Sequence, residues 1–292
     1  MKLNDPTALW LEHTMQWDLL FFQQLFNLEK TFGVQSVYMY LLVGSEKALL
    51  IDSGYGMLDI PKVVGEITDK PVICACTHGH LDHAPGAYQF ETAYLHRADF
   101  ETYRSHSSGE FARAFLLGSK AKSDRVELVE RMAEKQYPEL LNLEDIPVFD
   151  LGGRTVSWTP VPGHTPGSVV FLDEQNHCVF DGDAATPGVW LFLPESLPMQ
   201  SYVNSITSYV DYLKQNQVRF RYGGHMAKPL KLEHTEKLAL CAQYCAKHPN
   251  AGIPVHFPFA DTKVVFSQRQ YDFHKTGSKV RFHPWQKSRQ VL

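Results

Sequence analysis

Thr77-His78-Gly79-His80-Leu81-Asp82-His83 places three imidazoles and one carboxylate within six residues. The segment directly follows Pro71-Val72-Ile73-Cys74-Ala75-Cys76, a short apolar run that suits a buried strand. Packing does not explain such a cluster, because buried polar groups cost free energy unless they find partners. Metal coordination is the usual way to satisfy it. His78 and His80 can point the same way from an extended segment. Asp82 and His83 then begin a turn and can face a second metal. The end of a strand is also where α/β sheets place their ligands.

Three later fragments each end an expected strand. They are Pro162-Gly163-His164-Thr165-Pro166-Gly167, Phe180-Asp181-Gly182-Asp183 and Tyr222-Gly223-Gly224-His225. Each alone is ordinary, since loop histidines are common and Asp-Gly is a turn signal. Together they add further donors at strand ends. The chain has 14 histidines, but spacing and placement, not number, single out five of them.

Hydrophobic periodicity predicts strands over 34–43 and 47–52 around a Gly44-Ser45-Glu46 turn, and a helix over 57–68. Further strands are expected over 71–76, 93–95, 148–151, 154–161, 168–172, 177–180 and 218–222. Residues 98–143 read as two or three amphipathic helices, and two more helices are expected at about 199–216 and 230–247. The first 25 residues are apolar-rich but unpatterned, and the tail after Pro249 mixes short strands with prolines and aromatics. This order implies an α/β protein with more than one sheet.

With 28 basic against 32 acidic residues the net charge is −4, which argues against a nucleic-acid partner. No run approaches the 18 apolar residues of a membrane span, so no membrane partner is expected. Met1-Lys2-Leu3-Asn4-Asp5-Pro6 is polar where a signal peptide needs an apolar core, so a cytoplasmic protein is expected. The five cysteines show no disulfide spacing and read as free thiols. Cys241 and Cys245 can share a helix face, but two thiols make a poor metal site.

The series THGHLDH, PGHTPGS, FDGD and GGH resembles the metallo-β-lactamase superfamily in order and spacing over about residues 30–260. Asp52-Ser53-Gly54, after Leu49-Leu50-Ile51, resembles that family's first motif, an Asp that supports the metal site. The resemblance implies an α/β fold, an αββα sandwich of two mixed β-sheets flanked by helices, with metals at one edge. It also implies a single domain over 1–292, with a core of about 30–260, a helical insertion at about 98–143 and a C-terminal extension at about 250–292.

By this resemblance His78, His80 and His164 bind one divalent ion, Asp82, His83 and His225 bind a second, and Asp183 bridges both. Asp183 is chosen over Asp181 because the family acid directly follows Gly; Asp181 then neighbours the site and is a candidate to hydrogen-bond a ligand. Asp52 orients a histidine or a backbone group. Zinc fits these mixed donors best, and manganese or iron also fit. The implied activity is hydrolysis, in which a metal-bridging hydroxide attacks a small-molecule ester, thioester or lactone carbonyl, with Asp82 and Asp183 as catalytic acids. The alternatives are a phosphodiesterase with the same dinuclear site and a mononuclear-iron enzyme resembling persulfide dioxygenases.

Particular residues separate the chain from known branches. Position 183 is Asp rather than the Cys of penicillin-cleaving members, and position 80 is His rather than the Glu of flavo-diiron proteins. The last motif continues as GGHMAKP rather than the GHEYT of glyoxalase II. Phe100, Tyr103, Phe111 and Phe115 are expected to pack the insertion onto the sandwich. Trp190 and Phe192 either edge the substrate pocket or pack inside. His256, His274 and His283 reach the site, support a homodimer, or simply lie on the surface.

Overall fold

The structure, a computed structural model, describes residues 9–14, 19–28, 33–56, 58–113, 136–226, 228–257 and 260–265. Strands β1 (Leu9–Thr14), β2 (Leu19–Leu28), β3 (Gly33–Val43), β4 (Ala48–Ile51), β5 (Val72–Ala75), β6 (Thr92–Leu95) and β7 (Glu139–Asn142) form one sheet in that order. It is antiparallel from β1 to β4 and parallel from β4 to β7. Strands β8 (Val148–Asp150), β9 (Thr155–Pro160), β10 (Val169–Asp173), β11 (Cys178–Gly182) and β12 (Phe220–Gly223) form a second mixed sheet, ordered β12-β11-β10-β9-β8. The β13 (Ile253–Phe257) and β14 (Ala260–Val264) strands pair as a separate hairpin.

Period-two alternation explains the layering. Tyr38, Tyr40 and Leu42 of β3 face Phe149, Val156, Phe171 and Phe180 of the second sheet, which makes the central core. The alternate residues Met39 and Leu41 face outward onto α1 (Ile60–Gly65), through Ile60 and Val64. Val170, Leu172 and Val179 on the outer face of the second sheet meet α4 (Met199–Gln215) and α5 (Leu232–Lys247), through Ile206, Tyr209, Leu213 and Leu238. Each fully buried Phe or Leu contributes roughly 1.5–3 kcal/mol. The result is helix, sheet, sheet, helix. The expected αββα sandwich is what the chain forms.

Differences from the sequence-based expectations have local causes. In β2 the apolar and polar residues come in pairs, Leu19-Leu20-Phe21-Phe22-Gln23-Gln24, so no period of two is visible; pairing with β3 over ten residue partners makes the strand. Helix α1 is shorter than 57–68 because Asp59 caps it, its Oδ1 accepting from the Lys62 N–H at 3.2 Å, and Pro61 occupies the first turn. The segment 98–143 contains α2 (Phe100–His106) and α3 (Gly109–Ala112) but ends in the strand β7, not in a helix. Residues 114–135, including Phe115, lie outside the described residues, as do His274 and His283.

Candidate metal centre

Five segments reach one edge of the sandwich as their strands end. After β4 comes Asp52, after β5 the stretch from Thr77 to His83, after β9 the loop with His164, after β11 Asp183 and after β12 His225. Backbone hydrogen bonds stitch these ends together. The Val169 N–H donates to Thr77 O at 2.9 Å, Gly224 N–H to Gly182 O at 2.7 Å and Tyr38 N–H to Gly224 O at 2.8 Å. Gly182 has φ of 50°, and a Cβ there would run into the Thr77 side chain. Asp52 also has a positive φ of 62°, the kind of backbone strain that collects at functional sites.

Four of the five motif histidines, His78, His80, His83 and His164, spend one ring nitrogen on an acceptor outside the cluster. Thr77 Oγ1 donates to the Asp52 carboxylate at 3.0 Å, so it accepts from His78 Nδ1, also at 3.0 Å. His80 Nε2 donates to Glu195 Oε1 at 2.6 Å, His83 Nδ1 to Asp52 Oδ2 at 2.8 Å, and His164 Nδ1 to the Trp190 carbonyl at 2.7 Å. In neutral rings this leaves His78 Nε2, His80 Nδ1, His83 Nε2 and His164 Nε2 as the lone-pair nitrogens. Those atoms converge. His80 Nδ1 lies 2.9 Å from His164 Nε2, and donor atoms of His78, His80 and His164 fall within 4.8 Å of one another.

The same limit encloses a group of His78, His83 and Asp183 and a group of Asp82, His83 and His225. Here His225 Nε2 lies 3.2 Å from both Asp82 Oδ2 and Asp183 Oδ2. Asp183 Oδ2 is also 3.7 Å from His164 Nε2, so this carboxylate faces both halves. His78 Nε2 and Asp183 Oδ1 are buried and make no hydrogen bond. Orphaned buried atoms of this kind are costly unless something coordinates them. The donor set therefore fits divalent cations.

Electrostatics divides the cluster. Burial holds His78 and His80 below the usual imidazole range and takes His164 down to about 4. Burial also works against charge on His83 and His225, but adjacent carboxylates outweigh it. Asp82, Asp183 and Asp52 push His83 up to about 9, and Asp183 and Asp82 raise His225 well above its ordinary value. In turn the histidines hold Asp82 and Asp183 well below the carboxylate range despite burial.

Asp181 belongs elsewhere. It faces the helical layer, where Tyr209 OH donates to its Oδ1 and Arg221 Nη2 to its Oδ2. The strand pairing shifts between Phe180 and Gly182, and that irregularity turns Asp183 toward the cluster. Asp181, a candidate to hydrogen-bond a ligand, instead accepts from Tyr209 and Arg221.

Three contributors were absent from the sequence reading. Asp99 is fully buried and accepts from Gly79 N–H (2.9 Å), Gly167 N–H (2.7 Å) and Thr165 Oγ1 (2.6 Å), which clamps the His78–His80 stretch to the His164 loop. Glu195 and His106 stand against His80. No motif marks any of them, since each acts from a different segment. Trp190 reaches the site through its carbonyl, and its ring lies 5.2 Å from that of Phe192. Phe100 and Tyr103 pack onto the sandwich as expected, whereas Phe111 stacks on His106.

The fold, this donor cluster and the chain's relatives together mark it as a hydrolase. Residues 32–225 match the family described as Metallo-beta-lactamase superfamily, and the chain belongs to it. The chain is 29% identical over 209 residues to the acyl-coenzyme A thioesterase MBLAC2 of Bos taurus, which covers 64% of this chain and 72% of that protein. The Homo sapiens protein of that name matches with the same figures. Among solved structures, the metallo-β-lactamase DIM-1 superposes with a TM-score of 0.57 at 16% identity, covering 80% of this chain and 98% of that one. The mono-zinc form of FIM-1 from Pseudomonas aeruginosa gives 0.56 at 13%, covering 82% and 96%. Those structures establish the shared fold.

Proposed function

We propose that the chain hydrolyses small-molecule acyl thioesters of the acyl-coenzyme A class at a centre of two divalent cations. Zinc best matches the mixed nitrogen and oxygen donors. The observation that carries this reading is the convergence of inward lone pairs beside the orphaned His78 Nε2 and Asp183 Oδ1. His78, His80 and His164 hold one cation, Asp82, His83 and His225 hold the other, and Asp183 serves both. Cations bound there supply Lewis acidity to the substrate carbonyl and lower the pKa of water to about 7.

The chain's own groups do the positioning. Asp52 fixes Thr77 and His83, and Asp99 fixes the two loops that carry His80 and His164. Asp82 and Asp183 keep side-chain exposures of 22% and 15%, so their carboxylates can orient the attacking water and take its proton. A thioester releases a thiol with a pKa of about 8.5, so its sulfur needs no strong general acid. The thioester class is supported by the MBLAC2 relatives. Among the described residues no helix is long and apolar enough to cross a membrane. All five cysteines are free, which suits the reducing cytoplasm.

The test assays metal-loaded protein against an acyl-CoA, a lactone and a phosphodiester, with Asp183→Asn alongside. The acyl-CoA should turn over fastest, and Asp183→Asn should lose on the order of 10²–10³-fold in kcat/KM. Preference for the phosphodiester, or full activity in Asp183→Asn, contradicts the proposal.

A further inference from the structure

Glu195 lies in the segment between β11 and α4, and His106 is the last residue of α2. Glu195 Oε1 is 2.6 Å from His80 Nε2 and 3.4 Å from His106 Nε2. The His106 ring stacks on His80, with centroids 4.8 Å apart and planes 18° apart, and also on Phe111 at 4.1 Å. Two segments remote from the histidine motifs thus converge on one imidazole. We propose that Glu195, braced by His106, is a positioning residue that fixes the proton of His80 on Nε2 and aims Nδ1 at the first cation.

The chemistry favours a clamp over a third metal site. His80, His106 and Glu195 themselves form a compact group of potential ligands. A neutral imidazole offers one lone-pair nitrogen, however, and that of His80 already faces His164. His106 and Glu195 alone are too few to hold a cation. A carboxylate accepting from a ligand's other N–H instead locks the ring and strengthens it as a donor. The stack limits rotation of the same ring. Through this contact the helical insertion and the segment after β11 bear directly on metal binding.

This inference rests on the metal-centre reading, so its test separates the two. Metal-free protein is reloaded with Zn²⁺ under chelator competition, and with Co²⁺ to record its visible absorption. Glu195→Ala should weaken binding of the first cation about 10–100-fold and shift the Co²⁺ bands. Glu195→Gln, which keeps a carbonyl acceptor and nearly the same shape, should recover part of that loss. It also keeps the test open if Glu195→Ala fails to fold. His106→Phe, which keeps a stacking ring but no N–H, should show a smaller loss in the same direction. Zn²⁺ affinity and Co²⁺ bands unchanged in both Glu195 variants, while His78→Ala loses the first cation, would overturn the clamp alone. Full Zn²⁺ binding by His78→Ala would instead overturn the metal-centre reading.

Discussion

His78, His80 and His164 are three buried imidazoles with lowered pKa, whereas Asp82, His83 and His225 combine a carboxylate with two histidines pushed upward. The first trio stands ready to donate lone pairs at neutral pH. The second carries protons that an arriving cation must displace. The supports differ as well. Glu195, the Trp190 carbonyl and Asp99 brace the first trio, whereas Asp52 holds His83 of the second directly and reaches His78 of the first only through Thr77. On the proposed assignment, two cation sites that share Asp183 should therefore be separable by mutation and by pH.

Removing Asp52 should break the second half most severely. Asp52→Ala strands His83 Nδ1 and the Thr77 N–H, both buried. A buried group left unpaired costs about 1–3 kcal/mol, and loss of a ligand's partner costs about 10–100-fold in metal affinity. Zinc titration should show the loss concentrated in the second cation. Asp99→Ala is the counterpart for the first half. It frees Gly79 and Thr165, so the first cation should weaken by about tenfold or more, read by the same titration. Equal loss of both cations in either variant would erase the distinction. Tyr209→Phe marks the outer limit. It removes one hydrogen bond to Asp181 on the helical side and should cost about 1–3 kcal/mol in urea unfolding, with both zinc affinities unchanged.

The same contrast shows what a sequence can carry. The donors were legible because each sits on a strand end in a short motif, as with His78-Gly79-His80 or Gly224-His225. The two-sheet core was legible where an unbroken apolar run marks a buried strand, as from Val37 to Val43 in β3. Where apolar residues come in pairs, as in β2, the strand depends on pairing with β3 and cannot be read locally. Asp99, His106 and Glu195 were illegible for a similar reason. Each touches the site from a separate segment, and ordinary surroundings such as Ala98-Asp99-Phe100 give no local signal. Asp181 misled in the opposite direction. Its Asp-Gly-Asp spacing suggested a place beside a ligand, but strand alternation sends it to Arg221.

The most direct test of the two-part centre is calorimetric zinc titration of the metal-free protein at pH 7 and pH 6, in buffers of different ionisation enthalpy. With the pKa of His83 at about 9 and that of His225 also raised, both are protonated below neutrality in the metal-free protein. Their protons must leave as the second cation binds, so that affinity falls with decreasing pH. Two binding events are predicted. One should release about two protons and weaken up to about 100-fold per pH unit, while the other releases almost none and changes by less than about tenfold. A single binding event, or equal proton release in both, would contradict the account.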